Sequence, residues 1–317
     1  MKNIYKILKF SVLTLLALIL VQATTFAQEA GADTTVQEKP VDKPVRPAFE
    51  SGLLFDAATT TLYPSKTLEF ILEHRFGVIN TKDNNYDMAG IWGAANIRFG
   101  LNYSILNNLS VGVGTTKLNK MTDLQLKYRV IEQTRSNSIP VTVVLYEVVG
   151  IDGSKSSKWD GTPDTASTKS YKFGNRLSYF TQLIVSRRFN DKLSLQFGGA
   201  FTHYNCVDSV YDHDRISLSF AGRYKFSPQM SLIVSGDFPL DITGIKDFKK
   251  DAAKTTVIYD KPNLCAGIEI ATSAHAFHVY VASAQGILPQ EGIMWNKNDF
   301  FNGGILIGLN ITRLWNF

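Results

Sequence analysis

From residue 66 onward the chain is written in period two. "KTLEFILEHRF" sets Leu68, Phe70, Leu72 and Phe76 on one side and Glu69, Glu73 and Arg75 on the other. "AANIRFGLNYSI" sets Ala95, Ile97, Phe99, Leu101, Tyr103 and Ile105 against Asn96, Arg98, Asn102 and Ser104. "NRLSYFTQLIVSRRF" sets Leu177, Tyr179, Leu183, Val185 and Phe189 against Arg176, Ser178, Gln182, Ser186 and Arg188. "DRISLSFAGRYKF" sets Ile216, Leu218, Phe220, Tyr224 and Phe226 against Ser217, Ser219, Arg223 and Lys225. A strand turns successive side chains to opposite faces, whereas a helix repeats every 3.6 residues, so these are strands.

Strands of the same kind cover 109–116, 122–133, 140–150, 192–204, 230–238, 262–272, 277–285 and 303–317. Within 140–150, Val141, Val143, Val144 and Val148 blur the facing. The total is about twelve, an even number. An all-β chain of this kind has two solutions, a β-sandwich or a transmembrane up-and-down barrel.

The connections separate the two. "LNN", "ND" and "SPQ" are tight-turn sequences after the second, sixth and eighth strands. On the other side lie long polar loops at 78–90, 151–174, 206–213, 239–261 and 287–302, and one short one at 117–121. Alternation of short and long connections is what periplasmic turns and extracellular loops produce. "NNLSVGVG", "DKLSLQFGG" and "QMSLIVSG" are a weak internal echo of repeated hairpins.

Charge assigns the faces. Arg75, Arg98, Lys127, Arg129, Arg176, Arg188, Arg223 and Lys225 share the polar side with Glu69, Glu73, Asp237 and Glu269. A lipid-facing Arg or Lys costs about 2–4 kcal/mol at the bilayer midplane, so the polar side is the expected lumen. Arg187 and Arg313 have lipid-facing parity but lie near strand ends, within reach of the interface. Phe76, Tyr103, Phe189, Phe226, Phe238, Trp315 and Phe317 stand at strand ends, as an interfacial girdle requires. The expected partners are outer-membrane lipids and the barrel-assembly machinery, for which Trp315 and Phe317 are the expected terminal signal.

The N-terminal end agrees. Lys2, Lys6 and Lys9 precede an apolar run over 10–21, and "ATTFAQ" follows with the small residues Thr25 and Ala27. This predicts a signal peptide over 1–27, its apolar run being shorter than the ~20 residues of a spanning helix. No cysteine stands there, which argues against a lipoprotein. Residues 28–47, "QEAGADTTVQEKPVDKPVRP", predict a flexible, disordered periplasmic linker, and 48–317 the barrel. Residues 48–65 stay open between a strand and a segment tucked into the barrel mouth. Three units of the formal charge of +5 belong to the leader's lysines, and the remaining +2 or so predicts no nucleic-acid partner.

"HRFG", "ANIRFGLNYSI", "LSVGVG", "LKY" and "FNGGILIGLNITR" resemble an uncharacterised family of porin-like outer-membrane barrels, a domain of unknown function, over roughly 49–317. The resemblance implies a fold and a bacterial outer-membrane location. It implies no activity and no catalytic residue.

No Gly-x-Ser-x-Gly elbow, P-loop, His-Glu-x-x-His or Cys-x-x-Cys occurs, and no catalytic residue, cofactor or metal is expected. His74 and His203 have lipid-facing parity near the outer ends, a position that outer-membrane phospholipases use, but "AFTHYNC" lacks the accompanying serine pattern. His213 with Asp208, Asp212 and Asp214 reads as a solvated loop. Cys206 and Cys265 sit about three strands apart, roughly 14 Å at ~4.8 Å per strand, and are expected as free thiols.

The expected function is a narrow passive channel or porin-like transporter for small solutes. Anions are favoured if the cations of the polar side stay uncompensated. The alternative is a non-conducting barrel that binds or scaffolds envelope partners, and a lipid-modifying enzyme comes third. Arg75, Arg98, Lys127, Arg129, Arg176, Arg188, Arg223, Lys225, Glu69, Glu73 and Glu269 are the lumen candidates.

Overall fold

The computed structural model describes residues 42–79, 87–159, 171–207, 211–240, 259 and 261–317. The chain divides into two units, Met1–Asp42 and Lys43–Phe317. The expected signal peptide, most of the expected linker and Asp208 lie outside the described residues.

The second unit is a closed antiparallel barrel of twelve strands. A short hairpin comes first: β1 (Leu53–Leu54) and β2 (Ala57–Ala58). The wall follows as β3 (Thr67–Arg75), β4 (Asn96–Leu106), β5 (Leu109–Thr116), β6 (Thr122–Ile131), β7 (Thr142–Ile151) and β8 (Leu177–Arg188). It continues as β9 (Leu193–Tyr204), β10 (Asp214–Lys225), β11 (Met230–Pro239), β12 (Asn263–Ala271), β13 (His275–Ala282) and β14 (Leu306–Asn316). Each wall strand pairs with its neighbour in sequence, and β14 pairs with β3 from Gly308↔Arg75 to Asn316↔Thr67. Closure leaves no open edge, which a lipid-embedded sheet cannot tolerate.

The alternation works as read. In β3, Thr67, Glu69, Ile71, Glu73 and Arg75 are buried inside, while Leu68, Phe70, Leu72 and His74 face out. β4 buries Asn96, Arg98, Gly100 and Ser104 and exposes Phe99, Leu101, Tyr103 and Ile105. The blurred strand resolves in an unexpected way. β7 turns Val144, Tyr146 and Val148 inward, and Glu147 has the outward parity, where it accepts a hydrogen bond from Thr181 Oγ1 at 2.6 Å.

The segment left open takes the tucked alternative, and one expected loop carries a helix. Residues 48–62 run inside the lumen, where Phe49, Leu54 and Phe55 pack on Ala221, Ile233, Cys265, Tyr280, Ala282 and Leu306 of the wall. Phe55 takes a left-handed φ of 56° at the hairpin turn, which leaves it 0 % exposed. The expected loop 287–302 carries a helix, α1 (Pro289–Trp295), with proline at its start and Glu291 in its first turn. Ile293 of α1 joins Ala58 and Leu62 in one apolar cluster with Val144, Tyr146, Val148, Phe180, Ile184 and Ala200. The last strand begins at Leu306, not at 303, because Asp299 caps a single turn over Phe300–Asn302 that ends on left-handed Gly303, φ 82°.

The inner segment enters and leaves at the same end. Lys66 N–H donates to Ser104 O, beside the tight "LNN" turn, and Val45 N–H to Gln133 O, in the β6–β7 connection on the same side of the wall. Short turns mark the periplasmic end of such barrels.

Candidate functional site

The lumen holds the charges, and its geometry is best followed from the arginines. Arg75 ends β3 and is 0 % exposed. Its Nη2 meets Asp56 Oδ2 at 2.6 Å, at the tip of the inner hairpin, and Asn263 Nδ2 donates to the same oxygen at 2.6 Å. Its Nη1 donates to the carbonyls of Ala284 at 2.6 Å and Gly286 at 2.5 Å, in the outer loop that leads to α1. A planar guanidinium with several donors suits such a junction.

Arg98 of β4 makes a second node. Its Nη1 donates to Glu73 at 2.6 Å, and Nε and Nη2 reach the two oxygens of Asp123 at 3.0 and 2.7 Å. Gly114 of β5 makes room, since a Cβ there would lie 2.4 Å from Arg98 Nη2. Arg223 of β10 is the third node, with Glu269 at 2.9 Å and Glu50 of the inner segment at 3.0 Å. His278 Nε2 lies 3.2 Å from the other Glu269 oxygen, and Lys225 lies 3.7 Å from Glu50.

The remaining candidates fall at other levels. Glu69 accepts from Tyr63 OH and Asn102 Nδ2, both at 2.9 Å, and Lys127 donates to Gly52 O at 2.8 Å. Burial and the Glu69 charge push the Tyr63 hydroxyl well above the usual phenol range. Arg129 pairs with Glu132 at 2.7 Å and Arg188 with Asp191 at 2.9 Å, both at the periplasmic rim. Arg176 stands at the opposite rim, donating to the carbonyls of Asp152 and Ser154 at 2.6 and 2.5 Å. Its guanidinium also lies over the rings of Trp159 and Tyr171, 4.8 and 4.9 Å from their centroids.

The condition set for anion preference, cations left uncompensated, is not met at Arg75, Arg98 and Arg223: Glu73, Asp123 and Glu269 of the wall and Glu50 and Asp56 of the segment left open pair with them. Asp123 was legible, because it shares parity with Lys127 in "TDLQLKY". Asp56 was not, because nothing in the turn of so short a hairpin reveals its partner. Arg215 was missed as well: it caps α1 by donating to the carbonyls of Ile293 at 2.9 Å and Met294 at 3.4 Å.

The sequence matches the model of the Membrane bound beta barrel domain (DUF5777) over residues 49–315. The chain belongs to this family. This DUF5777 barrel is thus a bacterial outer-membrane protein. Its solved structural relatives include the COG4313 outer membrane channel from Pseudomonas putida F1, at 10 % identity and a TM-score of 0.47, covering 80 % of this chain and 97 % of that one. They include the NanC porin, at 8 % identity and a TM-score of 0.45, covering 79 % and 99 %. Outer membrane phospholipase A from Escherichia coli is similar at 12 % identity and a TM-score of 0.39, covering 80 % and 94 %. No curated protein matches the chain.

Two of the aromatics expected at strand ends are covered by arginines at the periplasmic end of the DUF5777 barrel. Arg313 lies over Trp315 at 4.9 Å and Arg187 over Phe189 at 5.3 Å. Phe317 is 78 % exposed, with its N–H on Lys66 O. At the outer end, His203 lies 2.5 Å from Asp214 Oδ1 and 3.1 Å from Asn205 Oδ1, and its ring stacks on Tyr179 and His213. Cys206 and Cys265 are buried and are not joined by a disulfide. Among the described residues no group of three or more His, Cys, Asp or Glu side chains is arranged to hold a metal ion.

Proposed function

We propose that this barrel is closed at rest, a non-conducting outer-membrane protein whose lumen is stoppered by its own N-terminal segment. One observation carries the reading. Residues 48–62 fill the lumen from the periplasmic side, bonded to Arg75, Lys127, Gln196, Arg223, Asn263 and Asn310 of the wall. A twelve-stranded barrel is narrow enough for such a segment to occupy it. The test is planar-bilayer recording of the full chain. No steady current is expected at moderate voltage, and a steadily open wild-type pore would overturn the reading.

A second reading has its own support. The stopper is fixed at its tip and base by ion pairs, Arg75–Asp56 and Arg223–Glu50, and both of its ends leave at the periplasmic side. It can therefore be withdrawn without threading. Withdrawal takes away Glu50 and Asp56, two negative charges and no positive one. The exposed wall would then hold the excess of Arg and Lys that favours small anions. In this form the barrel is a gated channel, opened by a pull on the chain that precedes residue 48.

A further inference from the structure

At the outer end of the barrel, over α1, lies a cavity of about 440 Å3. Its aromatic hub is Trp295. The ring meets Tyr204, Tyr211 and Tyr259 nearly edge-on, at centroid distances of 5.5, 5.5 and 5.4 Å. Glu291 precedes Trp295 by four residues, so both project from one face of α1. Both line the cavity.

The Glu291 carboxyl is unusual. It is 3 % exposed, its Oε1 accepts a long bond of 3.3 Å from Asn119 Nδ2, the Leu288 backbone N–H lies near the carboxyl, and its Oε2 has no hydrogen-bond partner among the described residues. Burial pushes its carboxyl up to about 7. Buried polar atoms are nearly always paired, so an unpaired carboxyl oxygen on a cavity wall calls for a guest that can bond it. The stopper does not use this group, and neither reading of the lumen explains it.

We propose that this vestibule binds a neutral saccharide of one or two rings from the outer face, stacked on Trp295 and Tyr204 and hydrogen-bonded to Glu291 and Asn119. The volume falls within the range of small-ligand sites, about 300–1,000 Å3. Sugar rings present C–H faces to aromatic surfaces, and their hydroxyls both donate and accept. They can serve a carboxylate or a carboxylic acid equally. An acidic ligand would meet Glu291. Asp152 and Glu291 share the cavity wall with Lys158, Arg176 and Lys297, so the lining carries both signs and favours a neutral guest over an ion. Lys158 and Arg176 already have partners: Lys158 pairs with Asp152, and Arg176 is held by two carbonyls.

The full chain in detergent is titrated with galactose, N-acetylglucosamine and maltose, followed by tryptophan fluorescence and calorimetry. At least one sugar is expected to give saturable binding. Trp295→Ala and Asn119→Ala should each weaken it about tenfold or more, a 1.4 kcal/mol change or larger. Both variants must retain the heat-dependent gel shift of a folded barrel, and Glu291→Gln, nearly isosteric, provides a third variant should either fail to fold. Tetramethylammonium chloride should give no saturable signal. The proposal is overturned if none of the sugars binds the folded wild type, if the substitutions leave binding unchanged, or if the ammonium ion binds instead. None of these outcomes depends on whether the lumen conducts.

Discussion

Arg75 shows what one residue does in this barrel. Its guanidinium is fully enclosed, with Asp56 on one side and the carbonyls of Ala284 and Gly286 on the other. An enclosed ion pair adds little net stability over an apolar pair of similar volume, but loss of one partner strands the other charge. Asp56→Ala should therefore destabilise the barrel by roughly 3–5 kcal/mol. The temperature at which the folded band disappears on a gel reads this directly. The double variant Arg75→Met with Asp56→Leu should recover most of the loss. If Asp56→Ala alone leaves that temperature unchanged, the pair does not anchor the hairpin. Gln196 and Asn310 hold the same hairpin through its backbone carbonyls, so neutral bonds remain after the ionic ones are removed.

Among the elements, the inner hairpin and α1 are the two that pack against the inside of the wall, and both were hard to read. Thr60 Oγ1 contacts Ser186 Oγ of β8, which makes a lock testable. With Cys206 and Cys265 replaced by alanine, Thr60→Cys with Ser186→Cys should form a bridge that fixes the stopper to the wall. If the stopper gates the pore, any brief openings of the parent should vanish in the oxidised variant and return on reduction. Openings that persist with the bridge formed would mean that current bypasses the stopper. The twelve wall strands were legible because lipid outside and charge inside enforce a strict alternation. β7 was ambiguous for a physical reason: Val144 and Val148 face inward, but onto Leu62 and Ala58 rather than water, so both of its faces are apolar. α1, at seven residues, spans about two turns, too few for a 3.6-residue period to stand out. Leu53, Leu54 and Phe55 are apolar in sequence, but the place of Leu54 and Phe55 is set by partners on distant strands, which no local pattern encodes.

At the scale of the whole molecule, the stopper's charge sets the selectivity expected when it is absent. A variant lacking residues 48–63, if it still shows the heat-dependent shift, should conduct and prefer anions in a salt gradient. The preference should weaken at high salt, where screening shortens to about 3 Å at 1 M. Reversing Arg75 and Arg223 together in that variant should move the reversal potential toward cations. A cation-preferring parent, or an unmoved potential, would mean that Glu69, Glu73, Asp123 and Glu269 dominate the lumen field. The hairpin also touches both strands at the seam: Asp56 holds Arg75 of β3, and Phe55 O accepts from Asn310 of β14 at 2.5 Å. Those are the strands whose pairing completes the cylinder. If these contacts form before the seam does, the segment that fills the finished wall would also act as a jig for building it, holding the first and last staves in register. Its deletion should then reduce the yield of assembled protein in the membrane more than it lowers the stability of the barrels that do close.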